Sequence, residues 1–288
     1  MEKQDLVNQL NESGEYRVLK KLDLSQTYNE DDGSDKKIAI FLDTETTGTN
    51  VEEDQIIELG MVVFEYNPNS GKIFRILREF NELEEPSIDI AEEASKVHGI
   101  SMEMLKGKKI NDNDVKEYID DAVIILAHNA PFDRQMVEKR FPFFKDKHWG
   151  CSMRDVAWKE NGHKIRILEF LAYKYGYFFE GHRATIDCFA AIHLLSKKLP
   201  ESGVLVLKDL IDNARQNTNR IVATDAHISI KDKLKAHGYE WNPKARIWYL
   251  DARENTTESE LEWLLKNHSI EGKVIASFGA IKRHSNRV

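Results

Sequence analysis

The apolar segment KIAIFLD at residues 37–43 constrains the fold of this chain more than any other feature. Its apolar residues follow one another without alternating polar ones, which is typical of a strand that is buried on both faces. A second segment of this kind, AVIILAH, occupies residues 122–128, and helical patterns follow it at residues 165–176 and 182–199. Buried strands combined with helices predict an α/β domain with a central mixed sheet flanked by helices.

Two hairpins complete the predicted organisation. The strands IIELGMVVFEYN and KIFRILREFN flank the turn residues PNSG. Near the C-terminus, HGYEWNPKARIWYL predicts a second hairpin, and TESELEWLLKN predicts a helix after it. We therefore predict an N-terminal helix, strand and acidic linker at residues 1–36, an α/β domain at residues 37–203, and a small α+β accessory module at residues 204–288.

Length and composition exclude several classes of protein. The chain has 288 residues, of which 41% are hydrophobic and 31% charged, which is enough apolar material for one large domain with an accessory module. No apolar run approaches the roughly 18 residues that span a membrane, and the charged N-terminus shows no apolar signal segment. The cysteines Cys151 and Cys188 form neither a metal-binding spacing nor a disulfide framework. These features predict a cytoplasmic protein with no membrane partner.

Charge is unevenly distributed along the chain. The net charge is −8, which by itself argues against a nucleic-acid partner. Residues 204–288 nevertheless contain 14 Lys and Arg against 11 Asp and Glu, a net charge of +3, whereas residues 1–203 contain 27 against 38, a net charge of −11. The total therefore hides a mildly basic C-terminal region behind an acidic body.

Carboxylates stand at the ends of the predicted buried elements. Asp43 and Glu45 end the first strand in the motif FLDTETTG, and residues i and i+2 of a strand project to the same face. Asp133 follows the second strand in HNAPFD, where a helix-capping carboxylate is the simpler interpretation. His182 and Asp187 lie in HRATIDC, and taken alone they are typical of surface residues. Their order along the chain, however, is compatible with one shared cleft.

Together these residue types are the components of metal-dependent phosphodiester hydrolysis. Mg²⁺ prefers oxygen ligands and is usually bound by a few carboxylates, with water and substrate phosphate completing the coordination. Two such ions about 3.5–4 Å apart stabilise the attacking and leaving oxygens of an in-line displacement at phosphorus. A histidine whose pKa is close to neutrality can accept the proton of the attacking water.

The three motifs resemble those of the DnaQ-like 3′→5′ exonucleases of the DEDDh type, a family that includes proofreading epsilon subunits, exonuclease X and RNase T. FLDTETTG is similar to the first family motif, HNAPFD to the second, and HRATIDC to the third with its H-x4-D spacing. KVHGISMEML is similar to a segment between the first two motifs, and the resemblance spans residues 38–198. It implies a ribonuclease H-like sheet and the removal of 5′-mononucleotides from a 3′ end.

The resemblance also implies roles for individual residues. Asp43 is expected to bridge two Mg²⁺ ions, for which Mn²⁺ can substitute. Glu45 and Asp187 are expected to complete one of the two metal sites, and Asp133 to bind the second ion. His182 is the expected general base.

Further residues are implied to contact the 3′-terminal nucleotide. By their motif positions these are Thr46, Glu93, His98 and Phe132. The implied partner is nucleic acid with a free 3′ end, with DNA favoured over RNA and single strands over duplexes. The chain shows no obvious sliding-clamp peptide, and the sequence does not define an oligomeric state.

Three other functions use the same residues. An RNA-trimming 3′→5′ exoribonuclease would have the same catalytic site, because contacts to the 2′-hydroxyl distinguish RNA from DNA. A phosphodiesterase of small nucleotides would have it as well. A catalytically silent nucleic-acid binding module is disfavoured, because such a module has no chemical need for all five of these residues.

Two further groups of residues have two interpretations each. His128 and Asn129 flank the second motif and are more typical of a shaped turn than of substrate contacts. In the C-terminal module aromatic residues interleave with cations, namely Tyr239, Trp241, Trp248, Tyr249, Lys235, Lys244 and Arg246. The pattern favours core packing, with base stacking along a single strand as the alternative. Strand alternation predicts Tyr239 and Trp241 on one face.

Overall fold

The computed structural model describes residues 2–24 and 26–287. Met1 and Ser25 of the predicted N-terminal region and Val288 of the predicted accessory module lie outside the described residues. No helix in these two ranges is both long and apolar enough to cross a membrane.

The chain divides into two compact units, which we call the first unit (Met1–Ile211) and the second unit (Asp212–Val288). The division falls inside a helix, Val206–Arg215, beyond the predicted boundary at residues 203–204. The predicted boundaries of the three regions, residues 1–36, 37–203 and 204–288, stay predictions.

The first unit begins with a helix and four consecutive strands, continues with three helices, and then mixes strands and helices. Its strands are β1 (Lys20–Lys21), β2 (Lys37–Thr46), β3 (Ile56–Tyr66), β4 (Ile73–Leu83), β5 (Ile124–Ala127), β6 (Trp149–Cys151) and β7 (Tyr177–Phe178). Its helices are α1 (Lys3–Glu12), α2 (Glu92–His98), α3 (Met102–Leu105), α4 (Asp112–Asp120), α5 (Ala130–Arg140), α6 (Leu168–Lys174) and α7 (Ala184–Leu195). A 3-10 helix spans Pro142–Asp146, and the helix at the division between units is α8 (Val206–Arg215).

Five strands form the central sheet of the first unit in the order β4-β3-β2-β5-β6. The pairs β2–β3 and β3–β4 are antiparallel, whereas β2, β5 and β6 run parallel. Helix α7 packs against β2 and β3, and α5 packs against β2, β5 and β6. This arrangement confirms the predicted α/β fold with a mixed central sheet flanked by helices.

Strand β2 lies at the centre of this sheet. Ile40 and Leu42 belong to a core cluster that also contains Met136 and Val137 of α5. The intervening Phe41 is buried as well, so apolar side chains are required on both faces of the strand. This double burial is the physical reason why the segment shows no polar alternation.

The glycine at position 60 lets α7 approach the sheet closely. Gly60 pairs with Asp43 across β3 and β2. A Cβ atom on Gly60 would lie 2.5 Å from the carbonyl carbon of Ala184 and 2.6 Å from the amide nitrogen of Thr185, closer than real contacts allow. Glycine therefore places the first turn of α7 directly beside the end of β2.

The segment predicted as an N-terminal linker is hydrogen-bonded to the first unit. Strand β1 pairs with β7 in parallel, and the backbone N–H of Leu22 donates to the carbonyl of Phe178 at 2.8 Å. Further along, the backbone N–H of Tyr28 donates to the carbonyl of Phe74 in β4 at 2.8 Å. This polar, acidic segment therefore runs along the surface of the first unit and is hydrogen-bonded to its strands.

The second unit is a small α+β module, as predicted. Its elements are β8 (Thr218–Ala223), α9 (Lys231–His237), β9 (Glu240–Asn242), β10 (Ile247–Arg253), α10 (Thr257–His268) and β11 (Gly272–Phe278), with 3-10 helices at Ile228–Ile230 and Glu254–Thr256. The strands form an antiparallel sheet in the order β11-β8-β10-β9. Ile221, Leu234, Trp248 and Leu264 lie in the core between sheet and helices.

The aromatic residues of the second unit are divided between core and surface. Tyr239 and Trp248 are buried in the core, which agrees with the packing interpretation for these two. Trp241 is 45% exposed, and its ring centroid lies 5.4 Å from that of Trp248. The predicted common face of Tyr239 and Trp241 stays a prediction, because β9 begins only at Glu240 and does not include Tyr239.

Candidate active site

Three carboxylates from two elements converge at the end of β2. Asp43 and Glu45 lie on the same face of β2, as residues two apart on a strand do. Asp187 lies in the first turn of α7, which the close approach at Gly60 brings beside Asp43. Each carboxylate offers one oxygen, and these three oxygens lie within 4.8 Å of one another. One cation can therefore contact all three.

Asp133 adds a fourth carboxylate from α5. It is buried in the first turn of that helix. Its Oδ1 accepts hydrogen bonds from the backbone N–H of Thr44 at 3.1 Å and from the Thr44 hydroxyl at 2.8 Å. Its charge contributes to raising the pKa of Asp43, so the two groups interact electrostatically. We call Asp43, Glu45, Asp133 and Asp187 together the carboxylate cluster.

Burial raises the pKa of every member of the carboxylate cluster. Desolvation is the largest cause in each case, and neighbouring negative charges add to it. The pKa rises to about 8 for Glu45, to about 7 for Asp133 and to about 6 for Asp187. The pKa of Asp43 rises well above its usual range. The cluster therefore concentrates acidic groups in a place where their charged forms are unfavourable.

A hard divalent cation fits this cluster. Like charges that are removed from water are unfavourable until a proton or a counter-ion neutralises them. The cluster offers only oxygen ligands, which are those that Mg²⁺ and Mn²⁺ prefer. Asp43, Glu45 and Asp187 are placed to hold one ion, and Asp133 lies beside them. The roles predicted for the individual carboxylates stay predictions.

His182 lies at the edge of the carboxylate cluster, just before α7. Its backbone φ is 66°, in the left-handed region that residues with a side chain seldom adopt. The side chain is 50% exposed, and Nε2 lies 3.8 Å from Oε1 of Glu169. The interaction with His182 lowers the pKa of Asp187 against the effect of burial. An exposed imidazole in this position can exchange a proton with water or with a bound substrate.

Thr46 and His98, two of the residues predicted to contact substrate, are buried near the cluster. The Thr46 hydroxyl donates to the carbonyl of Gly48 at 2.6 Å. At the end of α2, the Nδ1 atom of His98 accepts a hydrogen bond from the backbone N–H of Ile100 at 3.0 Å. The ring proton of neutral His98 must then reside on Nε2. Burial is the main cause of the lowered pKa of His98, and the charge of His182 adds to it, so the two rings lie within electrostatic reach of each other.

The other two predicted contact residues differ from each other. Phe132 lies in the first turn of α5, directly before Asp133, and packs partly buried against the core. Glu93 is exposed on α2, and across residues 2–24 and 26–287 its side chain has no hydrogen bond or ion pair. Its predicted substrate role therefore rests on the motif position alone.

Sequence reasoning missed two groups that support the site. Glu58 is fully buried in β3 and binds the Arg183 guanidinium, with Oε1 2.9 Å from Nη2. Thr44 holds the carboxylate of Asp133 in place. A signal for Glu58 exists in the sequence, because it is a carboxylate inside the apolar run IIELGMVVF.

His128 and Asn129 shape the turn between β5 and α5. The Nε2 atom of His128 lies 2.8 Å from the carbonyl of Arg166, and because a carbonyl only accepts, Nε2 carries the proton. Its Nδ1 lies 2.8 Å from the hydroxyl of Ser152, and burial lowers the His128 pKa to about 4. Asn129 precedes α5 with φ 73°. Because both ring nitrogens bind within the protein, the turn-shaping interpretation is favoured over substrate contact.

Comparison with known proteins identifies a family. A family model described as exonuclease (RNase_T) matches residues 40–195, more than half of the chain. The DNA polymerase III subunit epsilon of Rickettsia prowazekii is 36% identical over 110 residues, which cover 37% of this chain and 45% of that protein. The DNA polymerase III PolC-type protein of Thermotoga maritima is 35% identical over 96 residues, which cover 33% of this chain and 6% of that protein. The chain thus spans less than half the length of either relative.

Solved structures show more distant similarity. Exonuclease X in complex with a 5′-overhanging duplex DNA has a TM-score of 0.41 at 23% identity, covering 61% of this chain and 90% of that one. A 3′-exonuclease studied for 3′-end-specific recognition of a histone mRNA stem-loop has a TM-score of 0.45 at 16% identity, covering 70% and 73%.

Proposed function

The chain belongs to the exonuclease (RNase_T) family, and on that premise we propose that it hydrolyses nucleic acid from the 3′ end with two divalent cations. The observation that carries the proposal is the convergence of Asp43, Glu45 and Asp187, whose oxygens lie within 4.8 Å of one another, beside a half-exposed His182. Mg²⁺ is the proposed ion, with Mn²⁺ able to replace it. The products are a 5′-mononucleotide and a strand shortened by one residue.

In this proposal the carboxylates bind the cations, and the histidine accepts a proton from the attacking water. Asp43, Glu45 and Asp187 would hold one cation, and Asp133 would contribute to holding the second. When bound, divalent cations neutralise the scissile phosphate and lower the pKa of a water molecule. His182 accepts the proton of the attacking water as the phosphorus–O3′ bond breaks, and the new 3′-hydroxyl takes up a proton.

Substrate orientation falls to the residues around this centre. The Nε2–H of His98 is a fixed donor, and Thr46 presents its backbone at the end of β2. Phe132 provides an aromatic surface in the first turn of α5. We propose that these residues, with Glu93, position the 3′-terminal nucleotide. Such positioning is a large part of catalysis because it holds the reacting atoms in line.

Single-stranded DNA is the proposed substrate. The support is that curated relatives at 35–36% identity are DNA polymerase III proteins. An exoribonuclease of the same fold is the alternative, since the described site contains no feature that excludes a 2′-hydroxyl. Initial rates on DNA and RNA strands of matched sequence, single-stranded and duplex, decide between them. Faster hydrolysis of RNA would overturn the DNA assignment and leave the catalytic centre unaffected.

Substitution of the site residues tests the mechanism. Asp43→Asn should abolish measurable hydrolysis because it weakens the shared cation ligand. His182→Ala should lower kcat by about 10²–10⁴-fold, the usual effect of losing a positioned base. Asp121→Asn, which alters an exposed carboxylate after α4, is the matched control and should retain parental rates. Parental activity in both site variants would contradict the mechanism.

A further inference from the structure

Glu58 is a carboxylate inside the core of the first unit. Its side chain has no exposed surface, and its neighbours Ile57 and Leu59 are fully buried as well. Moving a carboxylate from water into a protein interior is unfavourable unless a cation and hydrogen bonds compensate. The compensating partner lies at the beginning of α7.

Arg183 is this partner. Its Nη2 lies 2.9 Å from Oε1 of Glu58, and its Nε lies 3.2 and 3.3 Å from the two carboxylate oxygens. The backbone N–H of Ala184 donates to Oε2 of Glu58 at 3.3 Å. A planar guanidinium bonded in this way determines orientation as well as distance. The first turn of α7 is therefore fastened to β3 by both side chain and backbone.

The start of α7, which Glu58 holds through Arg183 and Ala184, carries two residues of the candidate active site, His182 and Asp187. His182 directly precedes Arg183 and has φ 66°, a conformation that persists when surrounding contacts impose it. The backbone N–H of Arg183 also donates to Oδ2 of Asp187 at 3.1 Å. The His182 side chain is half-exposed, so packing constrains it little. Its direction depends on the backbone that Glu58 and Arg183 hold.

We propose that Glu58 is a positioning residue, which acts through Arg183 to hold His182 in the orientation that reaches the attacking water. The inference rests on the proposed function, because it requires His182 to take part in the reaction. It assigns a role to a residue of β3 that lies outside the three sequence motifs. Two rival roles are a contribution of Glu58 charge to cation binding and a contact of Arg183 with substrate phosphate.

A double-mutant cycle on the full chain separates these roles. Glu58→Gln preserves the size of the side chain but removes its charge. Arg183→Lys preserves the charge but not the forked geometry, at a side chain that is 45% exposed and therefore less critical for folding. We expect either change to lower kcat about 10-fold to 100-fold with KM nearly unchanged, since a misplaced catalytic group costs up to about 10²-fold. In a His182→Ala background, either change should lower kcat less than about twofold.

The ion pair of Arg140 and Glu84 provides a matched control. Its Nη2–Oε1 distance is 2.9 Å, and its Nε lies 3.2 and 3.0 Å from the carboxylate oxygens, which is nearly the geometry of the proposed pair. Neither residue belongs to the carboxylate cluster or the proposed substrate contacts. Glu84→Gln should lower the melting temperature and leave kcat at the parental value.

The outcomes of the double-mutant cycle distinguish the positioning role of Glu58 from its two rival roles. Parental kcat in both Glu58→Gln and Arg183→Lys, or losses that add fully to that of His182→Ala, would overturn the positioning role. Recovery of full activity at saturating Mg²⁺ would show a charge effect on cation binding instead, and a change confined to KM would show a substrate contact. If His182→Ala itself kept parental kcat, the proposed general base would fail before the positioning role was tested.

Discussion

Among single residues, the four carboxylates of the cluster lie close together in the first unit, with Asp133 and Asp187 buried and Asp43 and Glu45 half-buried. The pKa of each member lies above its usual range, mainly because burial disfavours the charged form. In the unfolded chain the same groups titrate near their usual pKa of about 4. Folding without a cation therefore takes up protons, and cation binding releases them.

Glu45→Gln should stabilise the metal-free protein at high pH. The folded pKa of Glu45 is about 8, above its usual value, so its contribution to stability is present at low pH and is lost as pH rises toward 8. With EDTA, we expect the variant to melt about 2 °C above the parent at pH 8.5, a shift that corresponds to about 0.5–1 kcal/mol. At pH 4 the difference should nearly vanish. Equal differences at both pH values would show that the carboxylate does not titrate as described.

Asn129 tests the backbone of the turn before α5. Its φ is 73°, and its side chain makes no capping hydrogen bond, so the conformation rather than the side chain matters. Asn129→Gly should change the free energy of unfolding by less than about 0.5 kcal/mol, because glycine adopts positive φ readily. Asn129→Ala should cost about 1 kcal/mol. Urea denaturation measures both, and an Ala variant as stable as the Gly variant would contradict this interpretation.

The place of a residue in the site could be predicted from the sequence where a local pattern determines it. Where long-range contacts determine it, no such prediction could be made from the sequence. Asp43 and Glu45 follow from strand alternation, because the spacing alone places them on one face. The burial of Glu58 beside Arg183 depends on the packing of α7 against β3, which no local pattern encodes. The left-handed backbone of His182 has the same origin.

At the scale of elements, the site depends on the contact between β3 and α7. β3 contributes Gly60, which admits the helix, and Glu58, which binds its first turn. β2 contributes Asp43 and Glu45, two of the proposed cation ligands, and α5 contributes Asp133. A displacement of α7 would therefore move Asp187 away from Asp43 without altering either side chain.

Gly60→Ala should impair both stability and hydrolysis. The added Cβ would lie 2.5 Å from backbone of Ala184, so α7 must move. Overpacking of this kind typically costs about 1–3 kcal/mol. Gly279→Ala is the control, since its Cβ would meet Asn217 Oδ1 at an ordinary 3.6 Å. Calorimetry and initial rates measure the two effects, and parental values for Gly60→Ala would contradict the close approach.

The elements of the first unit were more predictable than their ends. The two buried strands and the hairpin appear as predicted, because long apolar runs dominate local preferences. Helix α7 begins at Ala184 and not at His182, since Arg183 is extended with φ −136° and ψ 114°. Glu58 accepts hydrogen bonds from the Arg183 side chain and the Ala184 N–H at that start, and these long-range contacts are not visible in the helical pattern.

At the scale of the whole molecule, the two units each have a core of their own. The core of the second unit includes Trp248 and Leu264, whereas that of the first is built around β2. The carboxylate cluster lies entirely within the first unit. We therefore expect hydrolysis of a small substrate to depend on the folding of the first unit alone.

Trp248→Ala should unfold the second unit and spare the chemistry. Trp248 is 6% exposed, and removing a buried aromatic side chain costs about 3–5 kcal/mol. Trp241→Ala is the matched control, because that side chain is 45% exposed and should cost less. Far-UV circular dichroism reports the loss of structure, and a nitrophenyl ester of thymidine 5′-monophosphate reports the chemistry. Loss of ester hydrolysis in Trp248→Ala would contradict the independence of the first unit.

The reaction proposed for the carboxylate cluster and His182 is the removal of nucleotides from a 3′ end with a divalent cation. The most direct measurement compares single-stranded DNA labelled at the 5′ end or at the 3′ end, with Mg²⁺ or with EDTA, on a sequencing gel. We expect a descending ladder from the 5′ label, immediate release of a labelled 5′-mononucleotide from the 3′ label, and no reaction with EDTA or in Asp43→Asn. Internal fragments, shortening from the 5′ end, or equal rates with EDTA would contradict it.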